Sequence, residues 1–418
     1  MRRVMALVLA GGGSEALSVL TAERAVSAVP FGGKYRVIDF ALSNCCHSEV
    51  ERVAVFTQHH PTSLHDHIGS GRPWDLDRRS GGVLLLQPYL ARHHTGWYRG
   101  TADAIAQNWD VIEEQGPERV LVMSGDHVYR MDYRQLLLTH TRGRGPVTLS
   151  MARVAPDQSR RFGMLSVDGS GRVLTLDEKP ATTDATLASM GLYVFETGVL
   201  AQALRAGPVD LVHDVLRPML EAGERVQTHE FTDYWEDVGA VGPYYRANHE
   251  LLQHTPRLVL HDPRWPVLTR DEERPPVVVG DGAVIDQSLV ANGCRVSGTV
   301  MRSVLFPGVT VEPGAEVRDS IVMQDVRVES QARVDHAIID KHARVTRGAR
   351  VGDGPVPRGA EHAWLEGLTL VGKDAVIPEG ARVGRAAVVG IGASPDEVGE
   401  QVEPGAVIAS RAWYEDVV

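Results

Sequence analysis

The chain has 418 residues, 43% of them hydrophobic, and a formal net charge of −11, with a pI near 5.9. That length accommodates two domains with separate cores, and the acidic balance with scattered Lys and Arg excludes nonspecific nucleic-acid binding, which needs a basic stripe. No run approaches the roughly 20 apolar residues of a membrane span. The three cysteines, Cys45, Cys46 and Cys294, cannot build a disulfide framework, so reduced thiols in a cytoplasmic protein are expected.

Met5–Ala10 (MALVLA) is a short apolar run and predicts a buried first strand. It resembles the start of a signal peptide, but it is short and leads straight into Gly11, Gly12 and Gly13. Glycines after a strand let backbone N–H groups approach a phosphate chain. Such a loop normally carries Arg or Lys, yet between Gly11 and Pro30 the single basic residue is Arg24. Further strands are predicted at 53–57, 120–124, 147–152 and 192–195, and helical spacing runs over 102–114 and 133–140. This alternation predicts an α/β domain over residues 1–252 with a mostly parallel, Rossmann-like sheet and ligands at the carboxyl ends of its strands.

Residues 253–277 are rich in Pro and Arg and predict a linker. Beyond it lies an internal repeat. Ala315, Ala332 and Ala349 recur every 17 residues, each followed two positions later by Val317, Val334 or Val351. Ser303–Val304–Leu305, Ser320–Ile321–Val322 and Ala337–Ile338–Ile339 keep the same interval, as do Val311, Val328 and Val345. Small-x-Val steps in three-faced coils predict a parallel β-helix over 278–418, with an inserted loop near 352–366. A β-sandwich of short strands seldom keeps such a register.

At this point the sequence closely resembles the ADP-glucose pyrophosphorylases, or glucose-1-phosphate adenylyltransferases, of the bacterial glycogen-synthesis type. The resemblance rests on LAGG at 9–12, VPFGGKYRVIDFALSN at 29–44, WYRGTADA at 97–104 and SGDHVYRMDY at 124–133. It continues through FG at 162–163, EKP at 178–180, ASMG at 188–191 and DVG at 237–239. It implies a left-handed β-helix and the reaction of ATP with glucose 1-phosphate to give ADP-glucose and pyrophosphate. There the sugar phosphate attacks the α-phosphorus in line, so catalysis is positioning and charge neutralisation. By resemblance, Asp126 and Asp237 hold Mg2+, Asp126 being the catalytic carboxylate. Gly11, Gly12, Tyr98, Gly100, Thr101 and Ala102 take the nucleotide, and Gly163, Glu178, Lys179 and Ser189 take the sugar phosphate. Lys34 and Arg36 match a basic segment linked to a phosphorylated metabolite effector, although structural salt bridging fits them equally.

The chain departs from the family at the loop. The arginine that contacts the β- and γ-phosphates is replaced by Ala16 and the lysine at the reacting phosphorus by Val26. Ser14 replaces a motif glycine, and Glu15 adds a negative charge where an anion should lie. Losing one preorganised donor costs about 2.7–4 kcal/mol of transition-state stabilisation, so two losses predict turnover lower by ~10⁴-fold or more. The family glutamine near the base also has no secure counterpart in Leu86-Gln87-Pro88-Tyr89. Two readings follow. The chain is a catalytically impaired regulatory subunit in a homo- or hetero-tetramer with an intact paralogue, or it is an active enzyme with a modified loop. An acyltransferase using the β-helix is disfavoured by the complete nucleotidyltransferase half.

Overall fold

The computed structural model describes residues 3–91, 94–143, 145–181 and 183–409; the expected last nine residues of the β-helix half lie outside that range. Two compact units are formed. The first comprises 1–12, 38–235 and 261–268, the second 13–37, 236–260 and 269–418.

The first unit is built on a nine-stranded sheet. Its strands are β1 (Val4–Leu9), β2 (Arg52–Phe56), β3 (Gly82–Leu86), β4 (Arg119–Ser124), β5 (Val147–Arg153), β6 (Gly163–Val167), β7 (Val173–Glu178), β8 (Leu187–Glu196) and β9 (Val226–Phe231). The order runs β7-β6-β8-β4-β1-β2-β3, with β5 between β8 and β9. β4, β1, β2 and β3 are parallel to one another, the Rossmann-like arrangement the sequence predicts. Both faces of these strands are covered, which is why the consecutive residues Met5, Ala6, Leu7 and Val8, and Val120, Leu121, Val122 and Met123, are all fully buried and apolar rather than alternating. The expected strand at 192–195 is the end of the ten-residue β8, which joins β4 antiparallel. Its first half, LASMG, is broken by Ser189 and Gly191, so an uninterrupted apolar run marks only its end.

The helical stretch at 102–114 is not one helix. It breaks into α1 (Thr101–Gln107) and α2 (Trp109–Glu114) at Asn108, which has φ −114° and ψ 19°. Asn108 Nδ2 donates to Ala104 O at 3.0 Å and Tyr98 Oη at 2.9 Å, so a side-chain contact competes with continuation of the helix. The 133–140 prediction extends to α3 (Tyr133–Gly143). Residues 253–277 contain no helix or strand, but the segment is packed. Trp265 Nε1 donates to Asn44 Oδ1 at 3.2 Å, and Leu268 O accepts from Trp74 Nε1 at 3.1 Å.

The second unit contains the β-helix. Its three parallel sheets hold six, seven and seven strands. The 17-residue repeat is its register: Val317, Val334 and Val351 are consecutive partners on one face, and Val304, Ile321 and Ile338 on another. Ala315, Ala332 and Ala349 are buried at the corners, where only a small side chain fits. The period breaks where the chain leaves the coil after Arg350–Asp353, forms a short 3₁₀ turn at Ala360–Leu365 and returns at Thr369–Val371.

Candidate active site

In the first unit the candidate nucleotide residues gather at the carboxyl end of β1 and β2. Ala10 N donates to Phe56 O and Gly11 O accepts from His59 N, both at 3.0 Å, so the loop leaves the sheet still tied to its neighbour. Gln58 then grips the backbone of Tyr98, accepting from its N–H at 2.6 Å and donating to its carbonyl at 3.3 Å. The Tyr98 ring packs edge-on to Phe56, and burial pushes its hydroxyl up to about 12. A Cβ at Gly100 would lie 2.5 Å from Val209 O, so no other residue fits there without a backbone shift. Thr101 and Ala102 form the base of this wall rather than free contacts. Thr101 Oγ1 donates to Asp210 Oδ2 at 3.1 Å and accepts from Leu211 N at 2.9 Å, and Ala102 is buried in the core.

Asp126 follows β4 directly, and its Oδ1 accepts from Ser124 Oγ. His127 Nδ1 accepts from Trp235 Nε1, which can only donate, at 3.2 Å. The imidazole proton therefore sits on Nε2, which faces Asp126 Oδ1 at 3.4 Å. Asp126 is thus a part-exposed carboxylate steered by a hydroxyl and an oriented imidazole. Its all-oxygen donor chemistry fits a hard divalent cation.

The sugar candidates come together. Gly163 pairs with Glu178 across β6 and β7, and a Cβ at Gly163 would meet Glu178 Oε2 at 2.8 Å and Ser189 Cβ at 3.8 Å. The glycine therefore leaves the carboxylate its room. Desolvation raises the Glu178 carboxyl above its usual value, opposed by Lys179, and Asp210, His213 and Arg217 also act on it. Lys179 turns out of β7 with φ 44°, its N–H held by Phe162 O at 3.1 Å, which leaves its ammonium on the surface. Ser189 Oγ lies 3.3 Å from Tyr193 Oη.

In the second unit, Asp237 Oδ1 accepts from Gly239 N at 2.8 Å. Ser14, which stands where the family has glycine, donates through Oγ to Gly239 O at 2.6 Å, and Ser14 O accepts from Thr21 Oγ1 at 2.7 Å. Ser14 is thus a clasp between the loop and the Asp237 turn. Glu15 and Ala16 are exposed, whereas Leu17, Val19 and Leu20 anchor the loop and Val26 is buried. Arg24, the lone cation of the segment, is committed elsewhere. Its two terminal nitrogens donate to Asp340 Oδ1 and Oδ2, each at 2.9 Å, and both residues are buried.

Lys34 lies 3.5 Å from Asp271 in an exposed pair. Arg36 occupies a two-residue strand opposite Pro30. The sequence offered no hint of Lys341, which stands near Arg36 and Arg24; burial and those two cations push its ammonium down to about 7. Asp340 was equally hidden, since its partner Arg24 is 316 positions away.

Residues 5–254 match the nucleotidyl transferase family model, and residues 278–371 match the GlmU-like C-terminal hexapeptide model. The chain is similar to the glucose-1-phosphate adenylyltransferase of Thermomicrobium roseum, at 48% identity over 98% of this chain and 97% of the relative. It is also similar to proteins of that name from Thermotoga maritima, at 45% over 95% and 96%, and Pseudothermotoga lettingae, at 41% over 98% and 100%.

Proposed function

The chain belongs to the glucose-1-phosphate adenylyltransferase family, and we propose that within it this member is a substrate-binding subunit with weak chemistry of its own. Its substrates are ATP and glucose 1-phosphate and its product ADP-glucose, as for the relatives. The observation that carries the reading is the commitment of Arg24 to Asp340. With Ala16 and Val26 at the two basic family positions, the cations left to neutralise a triphosphate are Arg24, which is buried in a two-pronged ion pair with Asp340, and Lys34, which lies 3.5 Å from Asp271. Glu15 adds a repulsive charge beside the loop. The sugar pocket keeps Gly163, Glu178, Lys179 and Ser189, so binding of the sugar phosphate does not depend on the altered loop.

In this reading Mg2+ is held by Asp126 and Asp237, and the metal supplies charge neutralisation at the phosphates. Asp126 orientation is set by Ser124 and His127. A phosphorylated effector is received by Lys34 and Arg36 together with Lys341, whose ammonium is held below its usual range first by burial and then by Arg36 and Arg24, against Asp340 and Glu272. Assembly is tetrameric, with the β-helix presenting sheet faces and an open end. The three free thiols agree with a cytoplasmic setting, and among the described residues no helix is long and apolar enough to cross a membrane.

The test is pyrophosphate release by the purified chain alone and mixed with a homologue that retains Arg and Lys at the positions of Ala16 and Val26. The proposal expects little release from the chain alone and an altered rate or effector response in the mixture. Full activity alone would return the chain to the second reading, an active enzyme with a modified loop.

A further inference from the structure

On the second face of the β-helix, charged side chains stack coil over coil. Glu316, Arg333, Arg350 and Arg382 are consecutive register partners along parallel strands. Parallel pairing sets neighbouring positions roughly 4.8 Å apart, so three guanidinium groups rise in one column on a protein whose net charge is −11. Arg333 Nη2 reaches Glu316 Oε1 at 3.4 Å. The Arg350 and Arg382 side chains make no hydrogen bond or ion pair among the described residues. Like charges in register are destabilising unless something neutralises them.

A cavity of about 340 Å³ opens beside this column, lined by the four arginines Arg318, Arg333, Arg350 and Arg385 and by three carboxylates, Glu316, Asp335 and Asp353. Its origin is local. The strand pairing slips between Val351 and Asp353, and Gly352 takes φ 80°. A Cβ there would lie 1.8 Å from Asp335 O, so the bulge requires glycine. The second outward column, Arg318 then Asp335, is interrupted at this bulge, and the gap is the cavity. Arg385 enters from the next coil and is held in place: Nε donates to Gly367 O at 3.1 Å, and Nη1 lies 3.6 Å from Asp335 Oδ2. Its side chain is 15% exposed.

The charges do not balance within the cavity. Glu316 is shared by Arg318 at 3.2 Å and Arg333 at 3.4 Å, and Asp335 by Arg385 and by His336 Nδ1 at 2.8 Å. Four guanidinium groups thus face three carboxylates, the third being Asp353, and Arg350 is the arginine whose side chain has no ion pair among the described residues. Guanidinium forks recognise tetrahedral oxyanions through paired hydrogen bonds, and the volume falls at the small end of the ~300–1,000 Å³ typical of small-molecule sites. We propose that this cavity binds a small phosphate-bearing anion, with Arg350 as the primary contact and Arg333 and Arg385 beside it. The site lies on the second face, whereas Lys341 follows the third-face strand Ala337–Ile339, so the two are separable by mutation.

The experiment is calorimetric titration of the full chain with inorganic phosphate at fixed pH and ionic strength, with chloride as the control anion. Arg350→Gln raises the phosphate Kd about tenfold or more, the loss of one charge-assisted contact, in both the wild-type and the Lys341→Gln background. Arg350→Lys, which keeps the charge and loses the fork, falls in between. Arg382→Gln removes the same charge from the same column outside the cavity and leaves Kd within about twofold. Equal phosphate affinity in wild type and Arg350→Gln overturns the proposal, as does chloride competing as well as phosphate. So does complete loss of binding in Lys341→Gln alone. A change of oligomeric state in Arg350→Gln with phosphate binding unchanged also overturns it, and assigns the column to a protein interface.

Discussion

Replacing Arg24 by Met tests whether this cation is locked away from the phosphates. In the native chain Asp340 accepts two hydrogen bonds from Arg24 at 2.9 Å each and one from Lys341 N at 2.7 Å. Arg24 is 4% exposed and Asp340 0%. Methionine preserves much of the side-chain length and removes the charge, leaving a carboxylate buried with one backbone N–H. Breaking a buried pair in this way costs about 3–5 kcal/mol. At ~2–4 °C per kcal/mol for a unit of 150–250 residues, scanning calorimetry should show the transition of the second unit about 6–20 °C lower. Arg24→Met with Asp340→Leu removes both charges and should recover most of that loss, because a buried pair exchanged for apolar groups is often neutral. A loss under about 1 kcal/mol for Arg24→Met, with a large drop in ATP binding, would refute the reasoning. Arg24 would then be serving the triphosphate.

Three further outcomes are expected. Lys179→Ala should weaken ADP-glucose binding by about 1.5–3 kcal/mol in calorimetry, the range for a charge-assisted hydrogen bond; unchanged affinity would remove Lys179 from the sugar site. Gly163→Ala should lower ADP-glucose affinity with little change in melting temperature, since its Cβ comes closest to the flexible ends of two side chains, Glu178 Oε2 at 2.8 Å and Leu176 Cδ1 at 3.2 Å; a large loss of stability with intact binding would contradict this. Lys341 is held down at about 7, so between that value and its usual 10.5 the unfolded chain carries a proton that the native one sheds. Stability without anion should therefore rise with pH across this window, while sulfate affinity falls and its binding takes up protons. Lys341→Met should flatten both profiles, and a pH-independent sulfate affinity in the wild type would oppose a role for Lys341 in anion binding.

The β-helix was legible because its determinants are local and repeated: one small residue at each corner and one inward valine per strand, every 17 positions. The parallel centre of the first sheet was legible for a similar reason, since β1, β2 and β4 are continuous apolar runs. What escaped depends on contacts distant in sequence. The helix break at Asn108 arises from the Tyr98 hydroxyl, and the clasp from Ser14 to Gly239 joins residues 225 positions apart. Arg24 stood out as the lone basic residue of its segment, but nothing local announced that Asp340 would take both of its donor pairs. The sugar residues Gly163, Glu178 and Ser189 were found singly by motif, and their meeting across three strands is visible only in the fold. Gln58 went unnoticed because its work is done on the Tyr98 backbone, where no side-chain pattern records it.

The most direct test of the central claim is the steady-state rate of pyrophosphate release by the isolated chain with ATP, glucose 1-phosphate and Mg2+. The account predicts turnover suppressed by ~10⁴-fold or more relative to ordinary enzymes at ~1–10³ s⁻¹, and a rise by orders of magnitude in Ala16→Arg with Val26→Lys. Ala16 is exposed and accepts Arg freely. Val26 is 4% exposed, so the new lysine must carry its ammonium out along the apolar wall. The two changes should act together, because both serve one developing charge distribution. Wild-type turnover within about tenfold of the ordinary range would contradict the account.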